Sequence, residues 1–305
     1  MTFQLKILGS NSATPAYGRH HTSQFLTIGN HNFLVDCGES SQIQMQKFRC
    51  RSTKINHVFI SHLHGDHYLG LMGFIFTLHL LGRTRDLHIF AQRGLDEIIT
   101  LQLKHSDTRL KYRIIFHTLN PESPELIFED HLVTVHSFPL THRIPCCGFR
   151  FSEKPKPRRI NKDLLPENIG VIEIQALKAG EDVLNPDGTI KYSFTQLTLP
   201  PRKSRSYAYC SDTAYDESII PHISGADLLY HEATFLNGRE EWAHQTFHST
   251  TSQAATIAKK ANVGQLLIGH YSARYRELTE FLNEATDIFP RTLLATEGET
   301  IELPD

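Results

Sequence analysis

One short segment, residues 61–67, constrains this chain more than any other. It reads Ser-His-Leu-His-Gly-Asp-His, so three histidines and one aspartate occur within six positions. The segment before it, residues 55–60, is rich in β-branched and aromatic residues and predicts a strand. A loop that follows a strand directs several side chains toward one point, and Gly65 eases the sharp bend. Clustering so many imidazoles for packing alone would be costly, so the segment predicts a metal site. Its donors are His62, His64, Asp66 and His67.

The chemistry of these donors indicates the kind of metal. Imidazole and carboxylate ligands suit zinc, and also manganese or iron. Four donors are too many for a single catalytic zinc, which keeps one position open for water. The loop therefore predicts two metals that share it. The chain contains 19 histidines, which is enough to complete such a site.

Further donors follow other predicted strands. His142, Asp212 and His270 come after the strands predicted at 131–138, 206–210 and 265–268, and such strand ends often carry the site in α/β proteins. Each has an alternative: His136 competes with His142, Asp212 also suits the cap of a turn, and His270 also suits a structural role. Together they supply two histidines and one bridging carboxylate.

The pattern of strands and helices predicts an α/β layered sandwich, organised as a single domain over residues 1–305. Strands are predicted at 3–8, 24–28, 32–36, 55–60, 87–90, 113–118, 131–138, 206–210, 228–230, 265–268 and 292–295, and helices at 43–48, 69–81, 94–103, 251–261 and 277–285.

Residues 152–196 interrupt this pattern and are interpreted as an insertion that projects from the core. The insertion carries the basic run Lys-Pro-Lys-Pro-Arg-Arg at 154–159. By composition alone it also suits a solvated connector. The whole chain has a net charge of −2, so any nucleic-acid binding requires a local basic patch rather than a basic protein.

The remaining composition predicts a cytoplasmic protein. No apolar run approaches the roughly 18 residues that a membrane helix needs, and the first residues suit a strand better than a signal peptide. The five cysteines form no CxxC pair and are expected to be reduced thiols.

The motif at 62–67 resembles the HxHxDH signature of the metallo-β-lactamase superfamily, and the later order of histidine, aspartate and histidine matches as well. Three further strings are similar to ribonuclease Z, the tRNA 3′-processing endonucleases: His-Glu-Ala-Thr-Phe at 231–235, His-Ser-Thr at 248–250 and His-Tyr-Ser-Ala-Arg-Tyr at 270–275. The resemblance covers nearly the whole chain. It implies a four-layer αββα metallo-β-lactamase sandwich with a projecting arm.

The resemblance also implies the role of each site residue. His62, His64 and His142 would hold one zinc, and Asp66, His67 and His270 the other, with Asp212 bridging the two zinc ions of each subunit. Asp66 would also act as the base toward the attacking water. His248, oriented by Glu232, would protonate the leaving oxygen; alone it also suits a surface histidine. The positions expected near the scissile phosphate are Ser249, Thr250 and Arg274, with Ser249 also suited to a helix N-cap.

For the whole protein, the resemblance implies a homodimer that removes the 3′ trailer of precursor tRNA and leaves a 3′-hydroxyl. The insertion is similar to the arm by which long-form bacterial members grip tRNA, although residues 168–174 lack the Gly- and Pro-rich tip. Two alternatives remain open: a hydrolase of small phosphodiesters or an arylsulfatase-like enzyme on the same scaffold, and a non-catalytic nucleic-acid-binding module without metals.

Overall fold

The computed structural model describes all residues from 1 to 305. Its main body contains two seven-stranded sheets. The first sheet has the order β18-β1-β2-β3-β4-β5-β6. Its strands are β1 (Phe3–Gly9), β2 (Ser23–Ile28), β3 (His31–Cys37), β4 (Ile55–Phe59), β5 (Leu87–Ala91), β6 (Ile114–Thr118) and β18 (Thr300–Glu302).

The second sheet has the order β17-β16-β15-β14-β9-β8-β7. Its strands are β7 (Glu125–Glu129), β8 (Val133–Pro139), β9 (Cys147–Glu153), β14 (Ser206–Cys210), β15 (Leu228–Glu232), β16 (Gln265–Gly269) and β17 (Thr292–Leu294). The last four of these run parallel in the order β14-β15-β16-β17. Their carboxyl ends therefore meet at one edge of the sheet, where a site is expected.

Helices cover the outer face of each sheet. On the first sheet they are α1 (Ser41–Lys47), α2 (Gly65–Tyr68), α3 (Gly70–Leu80) and α4 (Leu95–His105). On the second they are α7 (Ile220–Ile223), α9 (Thr251–Lys260) and α10 (Thr279–Ile288), with α8 (Glu240–Thr246) beside them in sequence. A third apolar cluster, rich in phenylalanine and tyrosine, fills the space between the sheets. The layers are helix, sheet, sheet and helix, which confirms the predicted fold.

Residues Glu153–Arg205 form a separate compact unit, which Asp305 joins. We call it the arm. It contains β10 (Arg159–Ile160) paired with β13 (Thr198–Leu199), β11 (Val183–Leu184) paired with β12 (Ile190–Tyr192), and the helices α5 (Val171–Ala179) and α6 (Phe194–Leu197). The Arg205 guanidinium donates to both carboxylate oxygens of Glu153, at 2.9 and 2.6 Å. The unit extends past the predicted boundary of 196 because β13 pairs with β10.

The structure differs from the sequence prediction in several elements. In the main body, three strands were not predicted, namely β7, β9 and β18, and neither were the helices α2, α7 and α8; none of the short elements of the arm was predicted. Pattern reasoning placed the end of β15 before His231, but the strand continues through Glu232. No helix of the structure combines the length and the apolar character needed to cross a membrane.

Candidate metal centre

Two glycines let the donor loop approach the first sheet. A Cβ on Gly70, at the start of α3, would lie 2.1 Å from the carbonyl oxygen of Gly38, which follows β3. A Cβ on Gly38 would lie 2.4 Å from the carbonyl oxygen of Asp66. Real Cβ atoms do not approach other atoms so closely, so both positions require glycine. The contact fixes α2 and α3 against the end of β3 and thereby fixes the loop that carries His62 to His67.

The structure brings the predicted donors of the first group together. One ligand atom from each of His62, His64, His142 and Asp212 lies within 4.8 Å of the others. His64 Nδ1 is 3.1 Å from His62 Nε2 and 3.1 Å from His142 Nε2. Three imidazole nitrogens and one carboxylate oxygen at such distances form a set that suits zinc.

The second group contains Asp66, His67, Asp212 and His270, and all four are buried. His270 Nε2 lies 3.1 Å from Asp212 Oδ1 and 3.4 Å from Asp66 Oδ2. Asp212 belongs to both groups and offers a different oxygen to each, with Oδ2 3.5 Å from His62 Nε2. It is therefore placed as a bridging carboxylate would be.

Unsatisfied atoms at the centre of these groups fit metal ions. His67 Nε2 and Asp212 Oδ1 are buried and make no hydrogen bond, although they lie only 3.3 Å apart. Buried polar atoms nearly always find a partner, so two of them facing the same point need an explanation. A metal ion between them would supply it, since both are atoms that bind zinc.

Two members of these groups, Asp212 and His62, are in the protonation states that bind a metal. Burial alone would raise the pKa of Asp212, but His270, His67 and His62 outweigh it and hold this pKa well below the usual value. Burial, reinforced by the neighbouring His67, keeps the pKa of His62 well below its usual value, so this ring is neutral. An ionised carboxylate and a neutral imidazole are the forms that bind a metal.

The carboxylate of Asp36 lies behind the loop of residues 61–67 and orients its side chains. Asp36, fully buried at the end of β3, accepts hydrogen bonds from His67 Nδ1 at 2.8 Å, from the Ser61 backbone at 2.8 Å and from the Tyr209 hydroxyl at 2.5 Å. Such a contact on the far nitrogen of a ligand histidine fixes the ring and its tautomer. Asp36 also adopts a left-handed φ of 52°, a conformation uncommon outside glycine.

Three other donor rings are held through their second nitrogen. His142 Nδ1 lies 3.0 Å from the carbonyl oxygen of Phe247, and His270 Nδ1 lies 2.8 Å from the Thr234 hydroxyl. His64 Nε2 is 3.2 Å from Nη2 of Arg143. These contacts fix the orientation of the three rings.

The Glu232–His248 pair lies beside the second group. His248 Nδ1 is 2.8 Å from Glu232 Oε1, and Glu232 is fully buried. Burial would lower the pKa of His248, but the Glu232 carboxylate outweighs it and raises this pKa to about 9. The imidazole is therefore charged near neutral pH and able to donate a proton.

A cavity of about 930 Å³ opens above these groups. His64, Asp66, His142, Asp212, His248 and His270 contribute to its walls. Its size is typical of a substrate site. His248 and members of both donor groups therefore face one space, in which a reacting bond could lie between them.

The three expected phosphate contacts differ in position. Ser249 and Thr250 are fully buried and do not line the cavity. The Ser249 hydroxyl donates to the carbonyl oxygen of Thr213 at 2.8 Å, and Thr250, rather than Ser249, is the N-cap of α9. Arg274 does line the cavity. Of these three residues, only Arg274 has a side chain on the wall of the cavity.

Sequence reasoning missed Asp36 and Thr234. Neither belongs to a dense cluster of donors, and their importance comes from contacts made across the fold. The string at 231–235 did include Thr234, whose hydroxyl donates to Glu232 Oε2 at 2.7 Å and also contacts His270. His231, in contrast, belongs to none of the donor groups; its Nδ1 lies 2.7 Å from the carbonyl oxygen of Glu232.

Solved structures define the class. The Bacillus subtilis metallo-β-lactamase fold protein YhfI has a TM-score of 0.70 at 19% identity and covers 99% of this chain and 100% of its own. A profile described as anti-Pycsar protein Apyc1 matches residues 3–112. With two facing sheets, outer helices and the histidine–aspartate groups at one edge, this is a protein of the metallo-β-lactamase fold.

Closer relatives narrow the class to one family. Ribonuclease Z of Cytophaga hutchinsonii is 48% identical over 305 residues, which covers 100% of this chain and 97% of the relative. The short form of human tRNase Z has a TM-score of 0.72 at 25% identity and covers 99% of this chain and 100% of its own. The chain belongs to the ribonuclease Z family, which confirms the resemblance of its motifs.

Proposed function

We propose that this protein is a two-zinc endoribonuclease that removes the 3′ trailer of precursor tRNA by phosphodiester hydrolysis and leaves a 3′-hydroxyl on the tRNA. The observation that carries the proposal is the arrangement of seven donor residues in two adjoining groups beside the Glu232–His248 pair, with five of the donors and His248 lining one cavity. Full-length similarity to ribonuclease Z supports the substrate. The proposed donors are His62, His64, Asp66, His67, His142, Asp212 and His270.

The chain's own residues account for the proton transfers. Two bound metal ions would supply Lewis-acid activation of water and neutralise charge on the phosphate. Asp66 faces the cavity and accepts the proton of the attacking water. His248 donates a proton to the leaving 3′ oxygen, and Glu232 keeps it charged and oriented. Arg274 is the proposed phosphate contact, since Ser249 and Thr250 are engaged elsewhere.

The arm is the proposed grip on tRNA. Residues 153–205 carry ten Lys or Arg and seven Asp or Glu, whereas the whole chain carries 31 Lys or Arg and 33 Asp or Glu. A local excess of positive charge attracts phosphates even in a protein of net charge −2. Part of the basic run is already paired, because Lys156 lies 2.8 Å from Glu153 and 3.0 Å from Asp305. The exposed Arg159 is the better candidate for phosphate contact.

A homodimer is also proposed. The helix α3 contains only two polar side chains, Thr77 and His79, and leaves Leu80 82% exposed, with Leu69 and Leu81 exposed beside its ends. Apolar patches of this kind mark interaction surfaces. The five cysteines are free, which fits the reducing cytoplasm as the compartment.

The decisive experiment is cleavage of a 3′-extended precursor tRNA by the purified protein. We expect cutting after the last tRNA nucleotide, loss of cutting after chelation and recovery with zinc. An intact precursor, with two zinc ions bound and a small diester hydrolysed, would contradict the tRNA substrate. The protein would then be a small-phosphodiester hydrolase of the same fold, and the basic arm would be unexplained.

A further inference from the structure

The only tryptophan of the chain lies on the wall of the cavity. Trp242 belongs to α8 and lines the same space as His64 and His248. Its side chain is 45% exposed. Aromatic rings of this size are usually well buried, so a half-exposed indole beside the proposed acid indicates a contact made with a ligand.

Charged and aromatic groups surround this indole. The Arg274 guanidinium carbon lies 5.9 Å from the centroid of the Trp242 ring and 5.9 Å from that of Phe235. Together with Arg239 these residues line a pocket of about 170 Å³. Water occupies about 30 Å³ per molecule, so a pocket of this volume has room for a group several times larger than water, such as a nucleobase. Aromatic faces beside guanidinium groups suit a nucleotide, whose base stacks and whose phosphate is an anion.

The position of the pocket indicates which nucleotide of the substrate it would bind. The Phe235 ring centroid lies 6.1 Å from that of His248, and α8 ends at Thr246, two positions before His248. In the proposed reaction His248 protonates the leaving 3′ oxygen. The pocket therefore lies on the side of the nucleotide that carries this oxygen, which is the last nucleotide kept in the tRNA.

We infer that Trp242, together with Phe235 and Arg274, forms a stacking site for the base of the last retained nucleotide, an inference that rests on the proposed function. Stacking on an aromatic ring tolerates any base, because every base has a π-face. The site would therefore place the scissile phosphodiester over the donor groups without selecting a base. Trp242 would act as a positioning residue.

Kinetics with altered substrates test this site. Trp242→Ala should lower kcat/KM on a 3′-extended precursor tRNA by about 10-fold, the usual effect of removing one base stack, and Trp242→Phe should restore most of it. When the last retained nucleotide is abasic, wild type and Trp242→Ala should cleave equally. When the first trailer nucleotide is abasic instead, the difference should persist. Leu101→Ala, an exposed apolar change on α4 outside the cavity, serves as the matched control.

Fluorescence gives a readout that does not depend on turnover. Because Trp242 is the only tryptophan, its emission should be quenched when the chelated protein is titrated with the precursor, and less so when the last retained nucleotide is abasic. Unchanged emission would overturn the stacking site. So would equal cleavage by wild type and Trp242→Ala, or a monomeric mass for Trp242→Ala where the wild type is dimeric, which would make the indole an interface residue.

Two outcomes distinguish the proposed function from the stacking site. If the wild-type protein leaves every precursor intact, the proposed function and the stacking site fall together. If it cleaves and Trp242→Ala cleaves equally well, only the stacking site is overturned.

Discussion

At the residue scale, the Asp36 carboxylate ties three parts of the site together. It accepts hydrogen bonds from Ser61, which follows β4, from Tyr209 of β14 and from the ring of His67. We expect Asp36→Asn to weaken metal binding by about 10- to 100-fold, because it removes the negative charge behind a ligand histidine. Metal retained per chain after dialysis against a competing chelator measures this.

A matched control exists for that change. Asp130 lies 2.6 Å from the His31 ring, at the start of β3, and does not line the cavity. Asp130→Asn should leave metal retention unchanged. Equal losses in both variants would mean that Asp36 acts through general stability alone.

The bridging position of Asp212 gives a second prediction. Because Asp212 belongs to both donor groups and His64 to only one, Asp212→Ala should lose both ions, whereas His64→Ala should retain one. Both should lose turnover. Elemental analysis of the purified variants provides the count, and two ions retained by Asp212→Ala would refute the bridging assignment.

Some residues of the site could be predicted from the sequence, and others could not. The donors at 62–67 are evident because four of them are adjacent in the chain. Asp36 looks like any aspartate near a strand end, since its partners come from residues that are 25 to 175 positions away. Thr234 is hidden for the same reason. Orienting contacts of this kind depend on tertiary structure, which local pattern does not encode.

At the element scale, the arm is attached through paired strands. Ser152 of β9 and Ser206 of β14 face each other in an antiparallel register. Replacing residues 153–205 with a short glycine-containing turn should therefore preserve the second sheet. We expect such a variant to keep its metal and its activity on bis(p-nitrophenyl) phosphate and to lose most cleavage of precursor tRNA. Equal loss on both substrates would count against the arm as the tRNA grip.

The base of the arm should respond to acid. Burial alone would raise the pKa of Glu153, but Arg205 and Lys156 outweigh it and lower this pKa below its usual value of 4.5. The pair therefore stabilises the arm above about pH 4.5, and this stability is lost as pH falls further. Limited proteolysis across this range should show arm cleavage rising at low pH in the wild type. In Glu153→Gln susceptibility should be higher and nearly independent of pH.

The bounds of some strands and helices could be predicted from their sequences, and those of others could not. Strands such as β4 and β16 are short, mostly apolar segments that are followed closely by a polar donor, and they were predicted to within one residue. The strand β9 begins at the second of two adjacent cysteines and includes Gly148 and Arg150. It is stabilised by pairing with β14 rather than by its own propensity. The short helix α8 likewise depends on burial of Ala243.

At the scale of the whole molecule, the exposed leucines at the ends of α3 support the proposed second copy of the chain. Leu80→Glu would place a charge on the proposed interface and should convert a dimer into a monomer, because burying an unpaired charge is costly. Light scattering coupled to size exclusion measures the mass. Leu126→Glu, at another exposed leucine, is the control. A monomeric wild type would remove the basis for the proposed homodimer.

The donors come from both sheets. His62, His64, Asp66 and His67 follow β4, whereas His142, Asp212 and His270 follow strands of the second sheet. Neither half of the sandwich alone can complete either group. On the ribosome, the second group stays incomplete until translation has passed His270. A nascent or half-assembled chain therefore lacks the complete pair of donor groups, and the proposed nuclease centre can act on RNA only after synthesis has passed His270.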